Sequence, residues 1–360
     1  MLTRSQLLSV LVGVCMCAAS FATLQATAFP TQTDAPIIGI VVEPPLSTGE
    51  CTTIFNNLNE DSELKAVPTN RFGNNTKGCV WSIYISWLHS AGIRVVPIPW
   101  KIDTPTEKSN MDWLLARVNG VLFTGGVLDA EMPILTHYFE TVKYVYAYTQ
   151  NRNKVEKDAF VMWGTCQGFQ LINAAAAGSL AVIEDGFVGM DPSMLPMQLT
   201  SSAATSRMFG TAPNSNSDEF KCPADVVTYV SKFPTTLNFH HEGVSPSAAN
   251  QYPTLGAELR TLGISVDTAG RPFVAAVEGI NASIFAVQFH PERVTSDFSV
   301  DAIKHDHRSM SVSQYLALFL RDRLSGNSHS FDTPEQGNSM TIENYPASNQ
   351  GWGNMIYYIN

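Results

Sequence analysis

The sequence predicts an α/β fold: a doubly wound, mostly parallel sheet flanked by helices, with a sharp strand–helix turn at its centre. Three observations predict it. Short branched-apolar runs alternate with segments of helical spacing from Pro36 to Gly178, the pattern that builds parallel sheets covered on both faces. Two of the apolar runs end in glycine, at Gly125-Gly126 and at Gly164, where such sheets carry their chemistry. At Trp163-Gly164-Thr165-Cys166-Gln167-Gly168 a strand runs straight into a helix with cysteine at the corner.

The elements follow in order. PIIGIVVEP, Pro36 to Pro44, is a buried strand. The polar stretch at about 47–78 is an insertion. VWSIYISWLHSAG has helical spacing from Val80 and stops at Gly92, a residue suited to the left-handed position after a helix. IRVVPIP, Ile93 to Pro99, is the second strand. MDWLLARVNG is a short helix with Asn110 as its N-cap. VLFTGG is the third strand and MPILTHYFETVKYVYAYTQ a helix. DAFVMWG is the fourth strand and CQGFQLINAAAAG the helix that follows it. A second polar insertion covers about 190–222. FVAAVEG and SIFAVQFHPE pair antiparallel around Gly279-Ile280-Asn281-Ala282, Ser309 to Leu324 is a helix, and Met355 to Ile359 closes the chain as an edge strand.

Composition narrows the function. Hydrophobic residues are 44% of 360, enough for a large core. The formal net charge of -10 repels phosphate backbones, so nucleic acid is excluded as a partner. Residues 1–28 read as a secretory signal peptide: Arg4, the apolar run LLSVLVGVCMCAAS, then Ala26-Thr27-Ala28 as a small-x-small cleavage site. Polar interruptions at Ser9, Ser20, Thr23 and Gln25 argue against stable membrane insertion. Residues 29–360 then form a single domain of the secretory pathway, bound for the extracellular space, lysosome or vacuole. Asn74 and Asn281 become N-glycosylation candidates. Cys51, Cys79 and Cys222 are an odd set once Cys166 is set aside, and Cys51–Cys79 is a candidate disulfide.

Cys166 is the candidate nucleophile. Glycines two residues to either side allow a turn too tight for side chains, and the turn sets sulfur at a helix N-terminus, where the dipole and free amides favour thiolate. The Gln167 amide would face a developing oxyanion. A thiolate needs a proton donor for the leaving group. His290 ends an apolar strand, and Glu292, two residues on, can hold the imidazole in one tautomer. His240-His241-Glu242 and His305-Asp306-His307 lack a helical metal-ligand spacing, and no phosphate-cradling glycine motif is present, so no metal or other cofactor is expected. Tyr138, Tyr144, Tyr146 and Tyr148 read as helix packing, with a homodimer interface as the alternative.

Taken in order, PIIGI, SAGIRVVPIP, GVLFTGG, WGTCQGFQ, LNFHHEGVS and FAVQFHPE resemble the gamma-glutamyl hydrolase family, a secreted or lysosomal branch of the class I glutamine amidotransferase-like proteins. The resemblance spans roughly Pro36 to Arg293. It implies cofactor-free hydrolysis of γ-glutamyl amides in folyl-poly-γ-glutamates, a small-molecule, poly-γ-glutamylated pterin. It also implies Cys166 as nucleophile, His290 as catalytic histidine, Glu292 as triad carboxylate, and Gly125-Gly126 as the loop completing the oxyanion hole. His240, Gln170 and Gln288 are expected to line the substrate pocket. Two departures stand out: Gln170 where family members often carry glutamate, and Lys77-Gly78-Cys79-Val80-Trp81 where they tend to have tyrosines. A polyanionic substrate needs local cations, for which Arg71, Lys77 and Arg293 are candidates. A glutaminase and a non-catalytic binding protein on the same scaffold are the alternatives.

Overall fold

The computed structural model describes residues 35–45, 78–126, 132–189, 191–211, 220–349 and 355–359. The compact unit that carries them begins at Ala35. Signal, first insertion, Cys51, Arg71, Asn74 and Lys77 lie outside the described residues. Among the described residues, no helix is long and apolar enough to cross a membrane.

The central sheet has eight strands: β1 Ile37–Val41, β2 Arg94–Ile98, β3 Gly120–Phe123, β4 Val161–Thr165, β5 Gln198–Leu199, β6 Leu259–Val266, β7 Pro272–Gly279 and β8 Ile284–Val287. Their order is β2-β1-β3-β4-β8-β7-β6-β5. The strands from β2 to β8 run parallel, and β7, β6 and β5 continue the sheet antiparallel. Each parallel strand between the edges is fully buried, which explains their unbroken apolar sequences. β2 tolerates Pro97 because it is an edge strand. Flanking helices close the core. Trp87 from the helix Ser82–Ser90 packs against Trp163 of β4 with ring centroids 5.8 Å apart, and its indole N–H donates to the Ser313 carbonyl of the helix His307–Leu324. The tyrosine stripe is packing: Tyr138 meets Phe123 and Tyr148 meets Phe160 edge-on.

Several sequence expectations need correction. The helix read from Val80 starts at Ser82, because Gly78–Trp81 is a strand paired antiparallel to Met355–Ile359. That terminal strand is no edge strand: it also pairs with Ala347–Asn349 and so lies between two partners. Asn110 is not a cap. The helix begins a turn and a half earlier at Pro105, where Thr104 and Glu107 form a capping box. The second insertion, about 190–222, is not all peripheral. It supplies β5, and Met197, Met208 and Phe209 are buried in the core. Cys79 is disulfide-bonded, and neither Cys166 nor Cys222, both free thiols, is its partner.

Candidate active site

Three neighbouring parallel strands, β3, β4 and β8, end at the same edge of the sheet, and each delivers one part of the site. β3 leads into Thr124-Gly125-Gly126, β4 into Cys166, and β8 into Gln288-Phe289-His290. The Cys166 amide donates to the Val287 carbonyl and the Gly168 amide to the Thr124 carbonyl, so the turn is tied to both flanking strands.

The turn is strained. Cys166 has φ 51° and ψ −105°, immediately before the helix Gln167–Ala177. Holding a non-glycine residue there costs about 1–3 kcal/mol. The flanking glycines make it feasible. A Cβ on Gly168 would lie 2.3 Å from the Phe123 carbonyl oxygen, and one on Gly164 would lie 2.6 Å from the Gly168 backbone. No side chain fits at either position, which is why the G-x-C-x-G spacing was legible.

His290 Nδ1 sits 2.7 Å from Glu292 Oε1, and both residues are buried. Burial opposes charge on the imidazole, but the Glu292 carboxylate and the Cys166 sulfur, to which His290 hydrogen-bonds, outweigh it and raise the group to about 9. The structure thus brings the three predicted catalytic side chains together. A Cβ added to Gly125 would lie 2.7 Å from His290 Cε1 and 3.2 Å from Cys166 Cβ, which fixes how closely the glycine loop approaches both.

The loop itself differs from expectation. The Gly125 amide, expected in the oxyanion hole, donates at 2.7 Å to the hydroxyl oxygen of Tyr84. Tyr84 is buried, and desolvation, with Glu292 adding to it, holds its phenol protonated. This residue was missed, because its place in the apolar pattern of the helix Ser82–Ser90 reads as core. The Gln167 amide opens its helix and has no intrahelical acceptor. Gly126 faces the Gln167 side chain, whose Oε1 would be 3.0 Å from an added Cβ, and the Glu43 carboxylate beyond it.

His240 lies just after the strand Thr236–Asn238. Its neighbour Phe239 puts a carbonyl oxygen 3.9 Å from Cys166 Sγ. His240 Nδ1 donates to the Glu242 carbonyl at 2.7 Å, and the ring packs edge-on against Phe273. Gln170 and Gln288 are buried within the same cluster. Arg293 is paired through Nη1 with Asp297 at 2.7 Å and lies in the field of Glu292. Asp306 caps the helix His307–Leu324, and Asn281 is exposed on the turn between β7 and β8.

Burial depresses His240 from its ordinary 6.5 to about 4. The unfolded chain therefore takes up a proton there before the folded one does. The stability gained by keeping the ring neutral is complete above pH 6.5 and is lost as pH falls towards 4. The expected loss is up to about 3 kcal/mol. Urea midpoints between pH 7 and 4 should fall more steeply for the wild type than for His240→Asn, and equal slopes would refute this assignment.

A doubly wound sheet that holds a cysteine at a strained strand–helix turn, beside a buried histidine–glutamate pair, defines a class of α/β protein arranged for thiol chemistry. The chain belongs to the Peptidase C26 family, whose profile matches residues 61–292. It is similar to gamma-glutamyl hydrolase B of Dictyostelium discoideum, 27% identical over 263 residues, which is 73% of this chain and 70% of that protein. Gamma-glutamyl hydrolase of Bos taurus is 27% identical over 348 residues, covering 96% of this chain and 95% of the relative. Among solved structures, the acivicin-bound glutaminase domain of Trypanosoma brucei CTPS aligns with a TM-score of 0.46 and 11% identity, over 82% of this chain and 95% of that one.

Proposed function

We propose that this chain hydrolyses γ-glutamyl amide bonds through a thioester on Cys166, with folyl-poly-γ-glutamates as the substrate class. The observation that carries the reading is the contact of His290 with both the Cys166 sulfur and Glu292. The gamma-glutamyl hydrolase relatives support the bond type.

Sulfur attacks the γ-carbonyl carbon and its electron pair forms the C–S bond. The negative charge moves to the carbonyl oxygen, where the Gln167 amide and the Tyr84 hydroxyl donate to it. We assign Tyr84 the place first given to Gly125, because the Gly125 N–H already donates to the phenol oxygen and the phenol keeps its own O–H to donate. His290 protonates the departing nitrogen as the C–N bond breaks. Water then attacks the thioester carbonyl carbon and gives a proton to His290; as the intermediate collapses the C–S bond breaks, its electron pair returns to the Cys166 sulfur, and the γ-acid is freed. Glu292 keeps the histidine's Nε2 turned to the reaction. His240, neutral with its Nδ1 proton committed to Glu242, offers an Nε2 lone pair to a substrate N–H.

We further propose that residues 1–28 direct the chain into the secretory pathway, towards the extracellular space, lysosome or vacuole, and that Asn281 is glycosylated there. The testing experiment assays the purified protein on pteroyl-polyglutamate and on free glutamine. Glutamate release from the first substrate is expected. Activity confined to glutamine would make the protein a glutaminase, and activity on neither would leave a binding protein.

A further inference from the structure

Behind the sulfur runs a line of hydrogen bonds that the reaction does not use directly. The Glu242 carbonyl, which can only accept, receives His240 Nδ1 at 2.7 Å and Gln170 Nε2 at 2.8 Å. That contact turns the amino end of the Gln170 amide towards Glu242. The same nitrogen lies 3.5 Å from Gln288 Oε1. The oxygen of Gln288 therefore faces Gln170, and its amino group faces Cys166, with Nε2 3.7 Å from Sγ. Gln170, Gln288 and Cys166 are all buried, so bulk water does not compete for these groups.

We propose that Gln170 is a positioning residue: by fixing the direction of the Gln288 amide it keeps an N–H, and not a carbonyl oxygen, aimed at the Cys166 sulfur. The inference rests on the reading of Cys166 as nucleophile and deepens it. This support of the thiolate is a role additional to the pocket lining expected of both glutamines, and it needs no contact with substrate. The two bonds nearest the sulfur are long, and each is weak alone. Their effect is one of sign, because a reversed Gln288 amide would set a partial negative charge against a thiolate.

Glutamate at position 170 makes the case sharper. An ionised carboxylate has no N–H for the Glu242 carbonyl and would accept from the Gln288 amino group. Gln288 would then turn its oxygen to the sulfur. The other charged or titratable groups around Cys166 stay in place: His290 and Glu292 from the loop after β8, His240 with His241 and Asp267 behind it, Tyr84 from its helix, and Glu43 beside Gly126.

The test is the pH dependence of iodoacetamide alkylation at Cys166, read by the mass of the Cys166 peptide from the full chain so that Cys222 does not contribute. Wild type, Gln288→Met, Gln170→Glu and the double variant are compared. Each single variant should raise the alkylation midpoint by about one pH unit, which is about tenfold slower reaction at a fixed pH below the midpoint. The double variant should match Gln288→Met, because without the Gln288 amide there is nothing for position 170 to orient. No shift in Gln288→Met would overturn the proposal. So would a double variant whose shift is the sum of the two, since the carboxylate of Gln170→Glu would then act through its own charge. Should Gln288→Met fail to fold, Gln170→Met decides the matter: it removes the anchor, leaves Gln288 in place and must also raise the midpoint. Alkylation needs no substrate. The expected shifts in a chain that hydrolyses no γ-glutamyl amide would overturn the proposed function and leave the positioning role standing.

Discussion

Cys166→Ala abolishes hydrolysis, with turnover reduced by about 10³-fold or more, and leaves the protein folded. The chemical argument is that the other free thiol among the described residues is inert: Cys222 is buried against Pro223 and Tyr315, and burial pushes it up to about 12. The structural argument concerns what alanine keeps. Its Cβ preserves the backbone conformation at φ 51°, so the turn gains no freedom, and only one heavy atom is lost. Stability should change by less than about 1 kcal/mol. Thermal melting and glutamate release on the same preparation check both halves. Turnover above a few per cent of wild type in a folded variant would remove Cys166 from the mechanism.

His290→Asn blocks thioester formation, whereas His240→Asn mainly weakens substrate binding. The two histidines hold opposite charge states for opposite reasons. His290 is raised to about 9 because Glu292 and Cys166 outweigh burial, so it carries the proton the leaving nitrogen needs. His240 is depressed to about 4 because burial wins, so at neutral pH it has no proton to lend from Nε2. Removing the proton donor should slow acylation by about 10²–10⁴-fold. Asparagine at 290 can still donate to Glu292 Oε1, which limits the damage to the fold. Single-turnover measurement of thioester formation separates the cases, and equal loss of acylation in both variants would reverse the ranking. Glu292→Gln should be milder than His290→Asn, since the glutamine oxygen still accepts from Nδ1. The wild-type acylation rate should fall as pH rises through about 9, where His290 loses its proton.

What the sequence made legible was local. The turn around Cys166 is specified within the five residues Gly164 to Gly168, whose two glycines admit no side chain, and the His290–Glu292 contact spans two residues. Strands β1, β3 and β4 were legible because burial on both faces keeps their sequences almost wholly apolar. What stayed hidden depended on distant partners. Val80 reads as helix until Tyr357, its cross-strand neighbour, is known. Arg293 reads as an unpaired cation until its contact with Asp297 is seen, although the four-residue spacing from Arg293 to Asp297, the cap of the short helix Arg293–Ser296, was there to be noticed. Tyr84 occupies an apolar position of an amphipathic helix, and only its contact with Gly125 distinguishes it from core. Thr104 was a different kind of miss, since T-P-T-E is a local capping signature that the weaker signal at Asn110 obscured.

The pairing of Met355–Ile359 with Gly78–Trp81 has a consequence for synthesis. Cys166, His290 and Glu292 all lie between these two strands in the sequence, so a ribosome making this chain releases every one of them before Met355–Ile359 emerges. Until then the strand that leads directly into the Tyr84 helix lacks that antiparallel partner. The catalytic cluster is thus synthesised ahead of the pairing that braces the segment feeding Tyr84.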